Sequence, residues 1–154
     1  MLSVKKQKLL NLSYNEAVKS DLLYQHGCIA THSGKIVAKG FNNKNTCYNK
    51  ACTCHAEIDV LQKMSKIFTK NGKYHKKNKF FRRTTLYISR YKDSVDCSNS
   101  APCIDCLNAI KILNIKRIVF FQDNDCHIVN PNNYYTNHVS YGKLYINRIN
   151  KTFQ

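Results

Sequence analysis

Two short segments of this chain carry residue types that can bind a metal ion and move protons. The first segment contains His55 and Glu57, and the second contains Cys103 and Cys106 directly after Pro102. Cys103 and Cys106 are three residues apart, so on a helix they share one face and can hold a single ion. A helix N-terminus also stabilises thiolates, the form of cysteine that binds metals.

These residue types suit a hydrolysis in which water attacks an aromatic ring carbon and expels ammonia. A zinc ion with three protein ligands and one open position lowers the pKa of its bound water to near 7. His55, Cys103 and Cys106 are the candidate ligands. Glu57 is the candidate proton shuttle, because it would stay off the metal and carry a proton to the ring nitrogen and the departing amine.

Apolar periodicity and turn residues place both segments at the starts of helices. A helix is predicted from Ser13 to His26, where Ser13 and Glu16 form a capping-box pattern. The predicted strands lie at residues 28–31, 35–40, 84–90, 116–121 and 126–129, and further helices at 54–68 and 102–113. Residues 70–83 are predicted to be a basic loop, and residues 142–146 fit either a terminal strand or the start of a helix. This order predicts an α/β fold in which helices cover a mixed sheet.

The pattern His55-Ala56-Glu57 followed by Pro102-Cys103-Ile104-Asp105-Cys106 resembles the cytidine and deoxycytidylate deaminase superfamily of zinc-dependent enzymes. The resemblance runs from the first predicted hairpin to Phe121. It implies one deaminase domain over residues 1–154, with a three-layer α/β/α fold, a mixed five-stranded sheet and Zn²⁺ as cofactor. It also implies hydrolytic conversion of cytosine to uracil, and we expect the base to belong to a nucleotide such as dCMP. The stretch between Glu57 and Pro102 is longer than in typical members of the family.

Several substrate contacts are candidates on the same basis. Gly40-Phe41-Asn42 is similar to the Gly-Tyr-Asn of deoxycytidylate deaminases, whose asparagine contacts the sugar, so Asn42 is the sugar-binding candidate. The resemblance implies that Ala56 offers its backbone N–H to the base carbonyl and that the backbone around Ala101 meets the exocyclic amine. Arg90 and Lys92 end the strand before the cysteine pair, where they could reach a phosphate.

The net charge of the chain does not decide whether its partner is a nucleotide or a nucleic acid. The net charge is +16, which attracts polyanions, yet Lys, Asn, Ile and Tyr also share A/T-rich codons. Residues 70–83 contain no acidic residue, and aromatics among their cations could stack on bases or simply belong to a solvated loop. The alternatives to a nucleotide deaminase are therefore an enzyme acting on RNA or single-stranded DNA and a catalytically idle nucleic-acid-binding protein. Glu57 argues against the idle protein, because a structural zinc site needs no carboxylate there.

Eight cysteines occur in a sequence in which we find neither a signal peptide nor a membrane span. We therefore expect a soluble, intracellular protein, cytoplasmic or nuclear, with no membrane partner. Its expected partners are a nucleotide or nucleic-acid substrate and, because family members usually assemble, further copies of itself. A structural site that joins Cys52 or Cys54 to His55, or a second metal site that uses Cys47, Cys52 or Cys54, is an open alternative. Thiols without a metal are expected at Cys28, Cys47, Cys97 and Cys126.

Overall fold

The protein folds into a mixed sheet with helices on both faces. The structure, a computed structural model, describes residues 2–45, 53–70, 72, 74–92 and 99–152. The elements in chain order are α1 (Val4–Ala17), β1 (Gln25–His32), β2 (Lys35–Phe41), α2 (Ala56–Lys70), α3 (Tyr74–Phe81), β3 (Thr84–Tyr91), α4 (Ile104–Ile112), β4 (Arg117–Gln122), β5 (Asp125–Val129) and α5 (Tyr141–Thr152). None of the described helices is long and apolar enough to cross a bilayer.

The sheet has five strands in the order β2-β1-β3-β4-β5. Only β3 and β4 run parallel, and every other neighbouring pair is antiparallel. Ser33 and Gly34, both with positive φ, form the turn between β1 and β2, and Asp123 and Asn124 do the same between β4 and β5. The predicted mixed five-stranded sheet is confirmed, and so is the predicted hairpin at Ser33-Gly34.

Successive side chains of a strand point to opposite faces of the sheet, so each face packs against its own apolar core. On one face, Leu9 and Leu10 of α1 pack against Ile29, Tyr87 and Val119. On the other face, α2, α3 and α4 pack against the remaining buried strand positions, including Cys28, Leu86, Ile88, Ile118 and Phe120. The result is the predicted three-layer α/β/α arrangement.

The first helix differs from its prediction. It occupies Val4–Ala17, and Ser3 caps it by accepting a hydrogen bond from the Lys6 N–H. Ser13, the predicted cap, lies inside the helix, where it is buried with its hydroxyl 2.5 Å from that of Ser89. The segment that leads to His26 instead enters β1.

The basic loop predicted at residues 70–83 is also wrong, because helix α3 lies within it. Phe81 is fully buried, and the ring of Phe80 stacks on that of His32 with centroids 4.2 Å apart. These contacts with distant segments stabilise a helix that, at eight residues, is too short to be stable on its own. At the C-terminus, residues 141–152 are helical, which decides between the two forms proposed for residues 142–146.

Candidate active site

His55 and Glu57 are positioned by the start of α2. Immediately before the helix, Cys54 and Asn43 exchange two backbone hydrogen bonds of 2.9 and 3.0 Å, which ties the chain to the end of β2. The His55 carbonyl then accepts the N–H of Asp59 and starts the helical hydrogen-bond pattern. Glu57 therefore lies in the first turn with its side chain buried, only 5% exposed.

Cys103 and Cys106 are positioned by a buried serine between two strands. The hydroxyl of Ser100 donates to the Ile88 carbonyl at 2.8 Å and accepts the Phe121 N–H at 3.0 Å. This hydrogen bonding bridges β3 and β4 where their parallel pairing ends and holds the chain that leads into α4. Cys103 is the N-cap residue of α4, and Cys106 lies in its first turn.

The structure brings the predicted ligands together. The Nδ1 atom of His55 lies 3.2 Å from the sulfur of Cys106 and 3.5 Å from that of Cys103. All three donor atoms lie within 4.8 Å of one another, and among the described residues this is the only such group. A tetrahedral zinc ion with bonds of about 2.0–2.3 Å would hold nitrogen and sulfur donors at about these separations. One imidazole and two thiolates therefore fit Zn²⁺ and leave a fourth position open.

Mutual hydrogen bonding makes one of the two thiols easy to ionise. The Cys106 thiol, followed by His55, lowers the pKa of Cys103 to about 4. The same interaction, together with burial, raises the pKa of Cys106 well above its usual value. The hydrogen bond to Cys103 raises the pKa of His55. The cluster thus stabilises a thiolate, as a metal site requires.

Burial raises the pKa of the Glu57 carboxyl, although the neighbouring His55 opposes the shift. A carboxyl whose two protonation states are closer in energy near neutral pH can both accept and return a proton. Glu57 and Cys103 both line a cavity of about 540 Å³. The Glu57 carboxyl, which can exchange a proton, therefore lies beside a cavity in which a substrate can bind.

The same cavity contacts most of the predicted substrate-binding residues. Asn42, Ala56, Ala101 and Arg90 line it, whereas Lys92 is exposed and does not belong to its described lining. The side-chain oxygen of Asn42 accepts the His26 N–H at 2.8 Å, and its amide donates to the Tyr24 carbonyl. Asn42 therefore also holds the start of β1 in place.

Ala56 and Ala101 present backbone atoms at this wall. Ala56 is the first residue of α2, and the N–H groups of a first helical turn have no partner within the helix. The Ala101 N–H donates to the side-chain oxygen of Asn99 at 3.0 Å, and Ala101 lines the cavity.

One wall of the cavity comes from residues that were not among the predicted site residues. The structure adds to the lining a set of residues that follow the last strand: Tyr134, Thr136, His138, Ser140 and Tyr141. The His138 carbonyl accepts the Ile104 N–H at 2.9 Å and so fastens this segment to the first turn of α4. Its polar, aperiodic sequence carried only the weak signal of a histidine among serine and asparagine.

Cys54 is buried and lies outside the cluster, and neither Cys28 nor Cys126 forms a disulfide. Cys47, Cys52 and Cys97 lie outside the described residues. A second metal site therefore stays a sequence-based prediction.

The chain matches a known protein family and several known proteins. The model of the cytidine and deoxycytidylate deaminase zinc-binding region matches residues 3–122. The tRNA-specific adenosine deaminase subunit tad2 of Schizosaccharomyces pombe is 28% identical over 98 residues, which are 64% of this chain and 20% of that protein. The tRNA-specific adenosine deaminase 2 of Xenopus tropicalis is 29% identical over 94 residues, which are 61% and 47% of the two chains. This chain thus spans less than half the length of either relative.

Solved structures share the fold. The cytidine deaminase of Burkholderia pseudomallei matches with a TM-score of 0.58 and 14% identity, over 90% of this chain and all of that chain. The dCMP deaminase of cyanophage S-TIM5 matches with a TM-score of 0.51 and 18% identity, over 77% and 82% of the two chains.

Proposed function

This chain belongs to the cytidine and deoxycytidylate deaminase family, and on that premise we propose that it hydrolytically deaminates a nucleobase bound in the described cavity. One observation carries the proposal. The buried carboxyl of Glu57 lies on the cavity wall beside a cluster of one histidine and two cysteines that fits zinc.

His55, Cys103 and Cys106 would hold the zinc ion, which would lower the pKa of a bound water molecule toward neutral pH. Glu57 moves the two protons of this water in turn, the first to the ring nitrogen and the second to the departing amine. In the balanced reaction a C–O bond forms, the C–N bond breaks, and water and the aminated base yield the oxo base and ammonia. The Ala56 N–H, at the N-terminus of α2, suits a base carbonyl, and the backbone at Ala101 suits the amine.

A base carried on a nucleic-acid strand is the substrate class we propose first. Both curated relatives described above are named as tRNA-specific adenosine deaminases. The net charge of +16 suits a polyanion, because each phosphate contact adds affinity that salt weakens. An enzyme of this kind takes the target base out of its stack into a pocket.

A free cytosine nucleotide such as dCMP is the second candidate, and the cavity itself favours it. Asn42 and Arg90 line the same space as Glu57, so a sugar and a phosphate could be bound together with the base. Arg90 lies over the ring of Tyr24, 5.0 Å from its centroid, and its Nε atom is buried without a described hydrogen-bond partner. That geometry suits an anion which approaches through the cavity.

Replacement of Glu57 by glutamine tests the proposal. The zinc-loaded chain and Glu57→Gln are incubated with dCMP, cytidine, and RNA oligonucleotides that contain cytosine or adenine, and products are followed by mass. We expect the variant to lose activity by about 10²–10⁴-fold, because the amide cannot carry the proton, while zinc content is retained.

Glu16→Gln is the matched control, since Glu16 is the only other glutamate in the sequence. It lies on α1, pairs with Lys19 and does not belong to the cavity lining. Activity of Glu57→Gln within a few-fold of the unmodified chain would overturn the role of Glu57. If the chain deaminated dCMP but none of the oligonucleotides, the nucleic-acid substrate would be rejected in favour of the free nucleotide.

A further inference from the structure

The acidic residues that the structure describes lie toward one end of the sheet. The cavity end of the sheet is defined by the start of β1 and the ends of β2, β3 and β4. Seven acidic residues are described, and all lie at or near this end: Glu16, Asp21, Glu57, Asp59, Asp105, Asp123 and Asp125. Asp93 and Asp96 lie outside the described residues.

The opposite end of the sheet carries an exposed cluster of cations. Around the β1–β2 turn and the starts of β3 and β4 lie the residues of this basic patch: Lys5, Lys35, Arg82, Arg83, Lys116 and Arg117.

Contacts with the strands and with the β1–β2 turn fix the positions of the cations in the basic patch. Lys35 is paired with His32, and the Lys5 ammonium lies so near the turn that a Cβ added to Gly34 would be 2.7 Å from it. The Lys116 N–H donates to the Thr84 carbonyl, and Arg117 is in register with Thr85.

The cations of the basic patch are free to meet an external anion. All six residues are exposed, and none takes part in the four ion pairs that the described part of the chain forms. Three of the five arginines in the sequence belong to the patch, and arginine binds phosphate in a bidentate geometry that lysine cannot match. Biased codon usage can raise the number of lysines, but it cannot sort acidic residues to the other end.

Two aromatic side chains that the structure describes near the patch, Phe80 and Phe81, are packed inside the protein and are not presented to a ligand. Phe81 is fully buried, and Phe80 packs between His32 and Phe68. A surface whose described side chains offer cations, with these two rings packed away, contacts the phosphate backbone and carries little base preference.

We propose that the basic patch is a second nucleic-acid-binding surface, separate from the deaminase site, which holds phosphodiester backbone without regard to sequence. It lies about 20 Å from the cavity, because Arg90 is six steps of ~3.3 Å along β3 from Thr84. A nucleic acid bound on the patch must therefore extend about one duplex width before a base of the same molecule can reach Glu57.

Binding of a fluorescent RNA stem-loop tests this surface without any need for turnover. Affinity is measured by anisotropy over a series of salt concentrations for the zinc-loaded full chain, with two stem-loops of unrelated sequence. The test variant is Arg82→Gln/Arg83→Gln/Lys116→Gln. The control, Lys44→Gln/Arg148→Gln/Lys151→Gln, removes the same charge from exposed positions elsewhere.

We expect the test variant to bind both RNAs at least about tenfold more weakly near 0.1 M salt, with the salt slope reduced by about 2–3. The control variant should lose less affinity, and zinc content and circular dichroism should be unchanged in both. Equal losses in the two variants, or no loss in the test variant, would overturn the proposal. The proposal would also be overturned if the unmodified chain bound phosphatidylserine vesicles as tightly as RNA and the test variant lost that binding. Deamination of free nucleotides alone would count against the proposed substrate class but not against this surface.

Discussion

At the scale of single residues, the cavity favours the neutral forms of two titratable side chains. Burial raises the pKa of Glu57, and burial followed by the positive charge of Arg90 lowers the pKa of His26 to about 4. Both side chains line the cavity. A site that disfavours charge suits an uncharged aromatic base, and it makes the stability of the protein depend on pH.

His26 predicts acid sensitivity in a defined pH window. Its pKa is about 6.5 in an unfolded chain and about 4 in the folded protein, so between these values the unfolded state binds more protons. Stability should be fully present above pH 6.5 and fall as the pH drops toward 4, by up to ~3 kcal/mol. Urea unfolding at pH values from 7.5 to 4.5, with zinc content monitored, measures this fall.

The variant His26→Gln isolates the effect, because it cannot titrate. Its unfolding free energy should depend less steeply on pH than that of the unmodified chain wherever both retain zinc. Parallel pH profiles for the two proteins would show that His26 is not the group responsible.

The candidate metal ligands and Glu57 could be predicted from the sequence, because neighbouring positions in the chain carry the pattern. The histidine, the glutamate and the two cysteines lie at short spacings beside two helix starts, so their pattern carries its own geometry. The far wall of the cavity could not be inferred in this way. Tyr134 and His138 reach the site because the chain folds back after β5, and no spacing within that segment encodes the return.

At the scale of elements, predictions were correct where periodicity dominates and wrong where packing does. Helices α2 and α4 and the five strands were predicted to within a few residues. The capping-box pattern at Ser13 and Glu16 was misleading, because both residues lie inside α1. There Ser13 is buried against Ser89, and Glu16 forms an ion pair with Lys19. Helix α3 was missed because its stability comes from Phe80 and Phe81, which pack against residues distant in sequence.

The contact between α1 and β1 predicts a strong effect for a small change at Gly27. A Cβ at this position would lie 2.0 Å from the Ser13 carbonyl oxygen and 2.4 Å from the Ala17 nitrogen. Both are backbone atoms, so α1 must move away from the sheet. We expect Gly27→Ala to lower the free energy of unfolding by at least ~3 kcal/mol in chemical denaturation.

Asn11→Ala provides the control for that substitution, since Asn11 lies on the exposed face of the same helix. Its stability should stay within about 0.5 kcal/mol of the unmodified chain. A Gly27→Ala protein as stable as this control would mean that α1 does not pack on β1 as closely as described.

At the scale of the whole molecule, the site lies where the parallel strands β3 and β4 end and their chains separate. A ligand site at the carboxyl ends of parallel strands follows from the topology, because helices α2 and α4 both begin at this edge. One candidate ligand comes from the start of α2 and two from α4. A metal bound by all three would link these helices across the cavity.

Zinc content of purified variants tests the central claim most directly. Elemental analysis of the unmodified chain should give about one zinc per chain, and His55→Ala, Cys103→Ser and Cys106→Ser should each lose most of it. Cys126→Ser, a cysteine outside the cluster, and Glu57→Gln should keep the full amount. Full zinc content in the three ligand variants, or a chain that binds no zinc at all, would contradict the account.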